Sequence, residues 1–310
     1  MIGVDFTGRL GNQMFTYAFT RVLMEKYGEK SFTANFKRCG NPLENMWGDS
    51  LCHFNVMPYK SVNYDLILKK GTSLQRIAYI IYMLLNKLPL IGNNDNLMSC
   101  IEFRLRKKNI YFTGAADVAF QVEMSRGPVF IRGYFQDKRF FDHIRPILTR
   151  EFTPKHSPLE HNKLLYEAIS QPNSVCVSVR RGDYLSATYK KDFYVCTPNY
   201  YDKAIQRICH RVEKPLFIFF SDDIQWVREH MHVEGYQCFY ERGDDPVWEK
   251  MRMMSGCHHF IISNSTFAWW ASYLSDREGK IIIAPSRWFA NPNWHSNLPG
   301  KDGFTYINNT

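Results

Sequence analysis

The chain reads as an α/β protein built from two Rossmann-like domains facing a cleft, and three observations carry that reading. Short apolar runs alternate with stretches of helical periodicity through the carboxyl half, the pattern of a parallel sheet with helical crossovers. The amino terminus opens as strand, glycine turn and helix. Between the halves, Glu151 to Pro158 holds two prolines and few large apolar residues, which suits a linker. The expected domains are 1–155 and 156–310.

In chain order, Ile2 to Phe6 is the first strand, Gly8 and Gly11 the turn, and Asn12 to Tyr27 a helix with Phe15, Ala18, Phe19, Val22 and Leu23 on one face. Residues 35–60 lack clear periodicity and read as irregular. Val129 to Tyr134 is a strand, followed by a helix over Lys138 to Leu148. In the carboxyl half, strands fit at Val175–Val179, Leu216–Phe220, Gln237–Tyr240, His259–Ser263 and Lys280–Ala284. Helices fit at Tyr200–Arg211, Ile224–His230, Pro246–Ser255 and Phe267–Ser275. Right-handed crossovers follow from that alternation.

Composition is ordinary for a globular chain: 310 residues, 45% hydrophobic and 22% charged. The formal net charge of +9 favours anionic partners, namely polyanions, acidic membrane surfaces or phosphorylated small molecules. A nucleic-acid-binding protein fits the charge alone, but the basic residues do not cluster in one recognition helix and no binding module appears. None of the eight cysteines forms a Cys-x-x-Cys pair. They read as small buried hydrophobes in a reducing compartment. No signal peptide is apparent at the amino terminus, and a cytoplasmic location is expected. The most apolar stretch, Ile77 to Ile91, carries Asn86, Lys87 and Pro89. It falls short of the roughly 20 residues that span a bilayer and reads as a buried or groove-lining helix. Lys60 to Lys108 is strongly basic, so peripheral contact with the inner face of a membrane stands beside the plainer reading of a solvated helical face.

Four segments place polar residues where a strand hands over to a helix or turn. Arg180 and Arg181 follow the run Ser174 to Val179 and precede Gly182-Asp183. They sit at a strand's carboxyl end, where ligands bind open α/β sheets, and a guanidinium fork suits a phosphate. A surface salt bridge is the alternative. Ser221-Asp222-Asp223 ends the next strand, where an aspartate can accept from the paired donors of guanine or cap the following helix. Ser263-Asn264-Ser265-Thr266 starts another helix, whose hydroxyls and amides can cradle a pyrophosphate. Gly8-Arg9-Leu10-Gly11-Asn12-Gln13 opens the first helix, as a phosphate turn or merely a tight turn with Asn near the cap. Met14 and Phe15 read as core, and Trp269 and Trp270 as packing. His258 and His259 point to opposite strand faces and form no metal pattern.

Together with Val129 to Asp142, these motifs resemble in order and spacing the bacterial α-1,2-fucosyltransferases of glycosyltransferase family 11, over about Ile2 to Pro285. The resemblance implies a GT-B architecture and an inverting transfer of L-fucose from GDP-β-L-fucose to the 2-hydroxyl of a terminal β-galactoside. The acceptor would be a galactose-ended oligosaccharide or lipid-linked glycan used in cell-surface or O-antigen synthesis. It places Arg180 on the donor pyrophosphate as the main catalytic group, with Arg181 sharing that role or holding the loop. Asp183 is either a positioning residue or a general base. Donor-binding residues would be Arg9, Gly11, Asn12, Gln13, Ser178, Arg181, Asp222, Ser263, Asn264, Ser265, Thr266 and Phe267, with Asp223 as helix cap. Ser178 departs from the pattern, since the family usually has His there, and a catalytically altered GDP-binding relative or a different linkage follows as the alternative. No Asp-x-Asp occurs, so no metal or other cofactor is expected. Acceptor choice would fall to residues 35–125.

Overall fold

Two all-parallel sheets organise the chain. The computed structural model describes residues 1–40, 48–92, 94–113, 126–291, 294, 296, 298 and 303–308. The chain divides into two units, Met1–Phe152 and Thr153–Thr310.

The first unit holds β1 (Ile2–Thr7), β2 (Phe32–Arg38), β3 (Tyr59–Val62), β4 (Ile110–Thr113) and β5 (Val129–Gly133), ordered β3-β2-β1-β5-β4. All neighbours run parallel. Central β1 is buried yet carries Asp5, which both flanking strands satisfy. Asn35 Nδ2 on β2 donates to its Oδ1 at 2.9 Å, and Arg132 Nε on β5 donates to its Oδ2 at 3.1 Å. A buried charge is tolerated only when paired and hydrogen-bonded in this way.

After β1 the chain turns at Gly8, whose φ of +74° favours glycine. A Cβ there would lie 2.5 Å from Asn12 Nδ2. The helix Leu10–Tyr27 follows and stops at Gly28 in the left-handed conformation. Its inner face is anchored by a buried set in which Tyr17 donates to Glu151 Oε2 at 2.6 Å and Arg21 Nε to Glu151 Oε1 at 2.8 Å.

Three expectations for this unit need correction. The segment read as irregular contains most of β2 and the start of β3. Edge strand β3 shows no apolar alternation because Lys60 and Ser61 face solvent. The helix expected over Lys138–Leu148 is instead two 3-10 turns, Lys138–Phe140 and Asp142–Ile144, before an α-helix over Arg145–Glu151. Pro146 lacks the N–H of a helix interior and fits only a first turn, so the α-helix starts there. The apolar stretch after Ile77 is not simply buried. The helix Ser73–Asn86 packs Tyr79, Tyr82 and Met83 against Leu66, Phe112 and Phe130, while Leu74, Ile77, Ile80, Ile81 and Leu84 are exposed on the outside.

The second unit holds β6 (Ser174–Val179), β7 (Leu216–Ser221), β8 (Cys238–Tyr240), β9 (His259–Ile261), β10 (Ile282–Pro285) and β11 (Phe304–Ile307). Their order is β11-β10-β9-β6-β7-β8, again parallel throughout. β11 was not foreseen. The five expected strands lie within two residues of their expected bounds, because strands buried on both faces read as continuous apolar runs. Val175, Val177, Phe217, Phe219, Ile261 and Ile283 form the core with Tyr200, Ala204 and Ile208 of the helix Pro198–Cys209. Trp269 and Trp270 are wholly buried in the helix Thr266–Leu274, as packing residues.

His259 Nδ1 accepts from the Ile281 amide at 3.1 Å in the strand layer. Burial, and then the adjacent His258, push its pKa from 6.5 down to about 4. The unfolded ring takes up a proton first, so this contribution to stability is present above pH 6.5 and is lost as pH falls toward 4. Urea unfolding at pH 7 and pH 4.5 should show the wild type losing about 2–3 kcal/mol more than His259→Gln. Equal losses would refute the assignment.

Candidate functional site

Parallel pairing brings the carboxyl ends of β7, β6 and β9 to one edge of the second sheet, with Val179 opposite Ser221 and Val177 opposite Ile261. Arg180, Asp222 and Asn264 therefore emerge side by side.

The arginines are held by the aspartates that follow β6 and β7. Arg180 Nη2 donates to Asp183 Oδ1 at 2.6 Å, and its Nη1 lies 2.9 Å from Asp222 Oδ2. Burial opposes its charge, but Asp222 and then Asp183 outweigh that and raise its pKa further. The guanidinium also lies 5.2 Å above the Tyr184 ring. Arg181 donates its backbone N–H to Asp222 Oδ1 at 2.9 Å and its Nε to Asp223 Oδ2 at 3.1 Å. Its guanidinium stacks 3.4 Å from the Trp226 ring centroid. Gly182 lets the strands' ends approach, since a Cβ there would stand 2.5 Å from Asp222 Oδ2.

Asp222, expected on the guanine base, thus has both oxygens engaged by the arginine loop. Asp223 caps the helix Ile224–His230, accepting from the Trp226 amide, while pairing with Arg181. Asp183 faces Arg180 at 2.6 Å. Its backbone also closes the turn Asp183–Leu185, where Ser186 donates to its carbonyl.

On the β9 side the four residues divide. Ser263 and Asn264 are buried. Asn264 Nδ2 donates to the carbonyls of Phe193 and Trp288 at 2.8 and 2.9 Å, and Cys196 Sγ donates to its Oδ1 at 3.6 Å. Its side chain therefore ties loops together instead of facing a ligand, which corrects the expectation for it. Ser265, Thr266 and Phe267 are half-buried at the start of their helix. The first intrahelical bond runs from the Trp269 amide to the Ser265 carbonyl, and the start of a helix is the end whose dipole favours an anion. Ser178 is buried, with its Oγ 3.4 Å from Ser263 Oγ and its carbonyl accepting from Tyr201.

Beside Arg181 lies a hollow lined by Tyr194, Tyr201, Asp202, Trp226 and His230. Tyr184 and Trp226 stand next to the arginine and aspartate motifs and were not singled out, and the others lie in segments away from the motifs. Aromatic residues in the turns after β6 and β7 were the signal for them.

The remaining candidates belong to the first unit, at the end of β1. Arg9 is half-buried at the helix N-cap position, and its carbonyl accepts the amides of Asn12 and Gln13. Gly11 is buried within the helix. Asn12 Oδ1 accepts from Gln136 Nε2 at 3.0 Å. Gln13 is a correction, being buried and donating to the carbonyls of Gly8 and Gly48 while accepting from the Ser50 amide. Its amide braces the turn, with both N–H groups of its Nε2 donated within the unit.

Comparison with known proteins adds to this geometry. The model for Glycosyl transferase family 11 matches residues 107–308. The O-antigen biosynthesis glycosyltransferase WbnK of Escherichia coli is 29% identical over 306 residues, covering 93% of this chain and 94% of that protein. An alpha-1,2-colitosyltransferase of Escherichia coli is 32% identical over 190 residues, covering 59% and 63%. Galactoside 2-alpha-L-fucosyltransferase Sec1 of Mus musculus is 32% identical over 152 residues, covering 46% and 41%.

Replacing Asn264 with Ala would leave one buried and one part-buried carbonyl without their donor and should cost about 2–4 kcal/mol in urea unfolding. Ser265 makes no side-chain cap bond, so Ser265→Ala should change stability by less than about 0.5 kcal/mol. The reverse order would exchange the roles given to these two residues.

Proposed function

Because the chain belongs to glycosyltransferase family 11, we propose that it transfers L-fucose from GDP-β-L-fucose to the 2-hydroxyl of a terminal β-galactoside, with inversion, in the synthesis of a cell-surface glycan such as O-antigen. The name of the mouse relative supports fucose and its link to the galactoside 2-position, that of the colitosyltransferase supports the alpha-1,2 linkage, and that of WbnK supports O-antigen synthesis. The observation that carries the site assignment is the Arg180 guanidinium, oriented by two carboxylates at the strand edge beside the start of the helix Thr266–Leu274.

In this reading the second unit binds the donor and the first serves the acceptor. The pyrophosphate lies against Arg180 and the first-turn amides after Ser265. Departure of GDP builds negative charge on the β-phosphate, and a pre-oriented guanidinium stabilises that charge most in the transition state. Arg180 meets the phosphate by giving up its bond to Asp183, which is the more exposed of its two carboxylates. Asp222 stays as the scaffold, since it also holds the Arg181 amide. Guanine then fits the aromatic hollow beside Arg181, where Asp202 supplies a carboxylate for its paired donors. Phe267 stacks on fucose or ribose. Arg9 and Asn12 remain the first unit's candidates for a substrate contact. Ser178 cannot titrate near neutrality as the family's His does, so base contacts come from the hollow instead. No metal is needed when arginine and helix amides carry the phosphate charge.

Arg180→Ala should lower kcat/KM by at least about two decades, and a near-normal rate would overturn the phosphate assignment. Asp183→Asn should weaken GDP binding and turnover together. A loss of turnover by about 10²–10⁴-fold with GDP affinity kept would make Asp183 the general base instead.

The deciding experiment incubates the protein with GDP-fucose and lactose, with and without EDTA, and reads the product by NMR. A 2′-fucosyl product of inverted configuration, formed in EDTA, is expected. GDP binding without transfer would point to the altered relative, and activity restored only by a divalent ion would refute the metal-free mechanism.

A further inference from the structure

The helix Ser73–Asn86 is apolar on two faces, and its own unit covers only one of them. Outward, Leu74, Ile77, Ile81 and Leu84 recur at steps of three and four, which aligns them in one stripe, and the exposed Leu88 follows just past the helix. Leu74 is 58% exposed, Ile77 55%, Ile81 50% and Leu84 60%, and Leu90 just beyond reaches 91%. An exposed apolar stripe of this extent marks an interaction surface.

The charges around it say what kind. From Leu66 to Asn94 there is no acidic residue, while Lys69, Lys70, Arg76 and Lys87 are present and exposed. Arg76 Nη2 donates to the Lys69 carbonyl at 3.5 Å, which gathers the amino-terminal cations beside the stripe. Lys87 stands at the helix's other end as its C-cap. Cations thus flank both ends of the apolar face. No helix among the described residues is long and apolar enough to cross a membrane. A helix of this make-up lies in the plane of a bilayer surface, its apolar side chains among the acyl chains and its cations at anionic headgroups. A second copy fits less well, because a symmetric pairing would bring like charges together at both ends.

We propose that this face docks the protein peripherally on a bilayer containing anionic phospholipid. The docking goes beyond the sugar chemistry and stands whatever donor the second unit binds. For an acceptor carried on lipid, it would hold the enzyme where that acceptor lies.

Flotation with vesicles tests it, using phosphatidylcholine alone and phosphatidylcholine mixed with phosphatidylglycerol. The wild type should float with the mixed vesicles, weakly with phosphatidylcholine, and less at high salt. Ile77→Glu combined with Ile81→Glu alters exposed positions only, so thermal unfolding should stay near wild type while partitioning falls at least about tenfold. Lys69→Glu with Lys70→Glu should remove the preference for phosphatidylglycerol, and this pair decides the matter if the first variant fails to fold. Wild-type protein remaining unfloated with anionic vesicles would overturn the proposal, as would variants that float equally well. Light scattering that shows a wild-type dimer, made monomeric by the Ile77 and Ile81 changes without any flotation, would assign the face to self-association instead.

Discussion

Parallel pairing of β6 with β7 and β9 is the constraint on which the candidate site rests. In a parallel sheet every strand ends on the same edge, so three segments spaced along the chain deliver their following residues to one place. The register sets Val179 beside Ser221 and Val177 beside Ile261. A slip of one residue would reverse every side chain and turn Val177 and Val179 out of the core they share with Phe217 and Phe219. Register is therefore enforced by burial on both faces, and the position of Arg180 follows from it.

Two adjacent guanidiniums at one strand end repel each other and, unheld, would sample many rotamers. The aspartates solve this by geometry. Asp222 bridges Arg180 and the Arg181 amide, Asp183 takes the other side of Arg180, and Asp223 joins Arg181 to the start of the next helix. Trp226 and Tyr184 supply ring faces beneath the two arginines. The arrangement orients both guanidiniums beforehand, so that in the proposed reading an arriving phosphate has only to displace Asp183 from Arg180. Asn264 does comparable work on the other flank by joining the loops of Phe193 and Trp288.

The first unit uses the same sheet topology for different ends. Its centre is tied by Asp5, Asn35 and Arg132 across three strands. Arg132 also receives support from Tyr79, which accepts from its Nη1 at 2.9 Å and belongs to the helix Ser73–Asn86. The helix with the outward apolar stripe is thus fastened to the sheet by its inward face. Its exposed side chains are a property of that orientation and do not reflect loose packing.

Much of the second unit was legible from residue order. Runs such as Ser174–Val179 and Leu216–Ser221 are apolar apart from Ser174, Ser178 and Ser221 because both faces are covered, and small polar residues after them mark the edge that holds the candidate site. Edge strand β8 was legible, but edge strands β3 and β11 were not. β3 reads Tyr-Lys-Ser-Val and β11 Phe-Thr-Tyr-Ile, four residues each with none fully buried, too short to carry a periodic signal. Site residues were recognised by type, but their division of labour was not. Gln13, Asp222 and Asn264 have the polarity expected of site residues, and only the fold shows that their hydrogen bonds are taken up within the protein. The apolar stretch after Ile77 likewise has a composition that suits burial or a surface. Which face of the helix meets the sheet is decided by Tyr79, Tyr82 and Met83 packing on Phe112 and Phe130, contacts between segments distant in the chain. Local pattern determines strands, helices and the chemistry available at their ends. Tertiary packing decides which of those groups remain turned outward, because each buried donor or acceptor must find its partner within the fold.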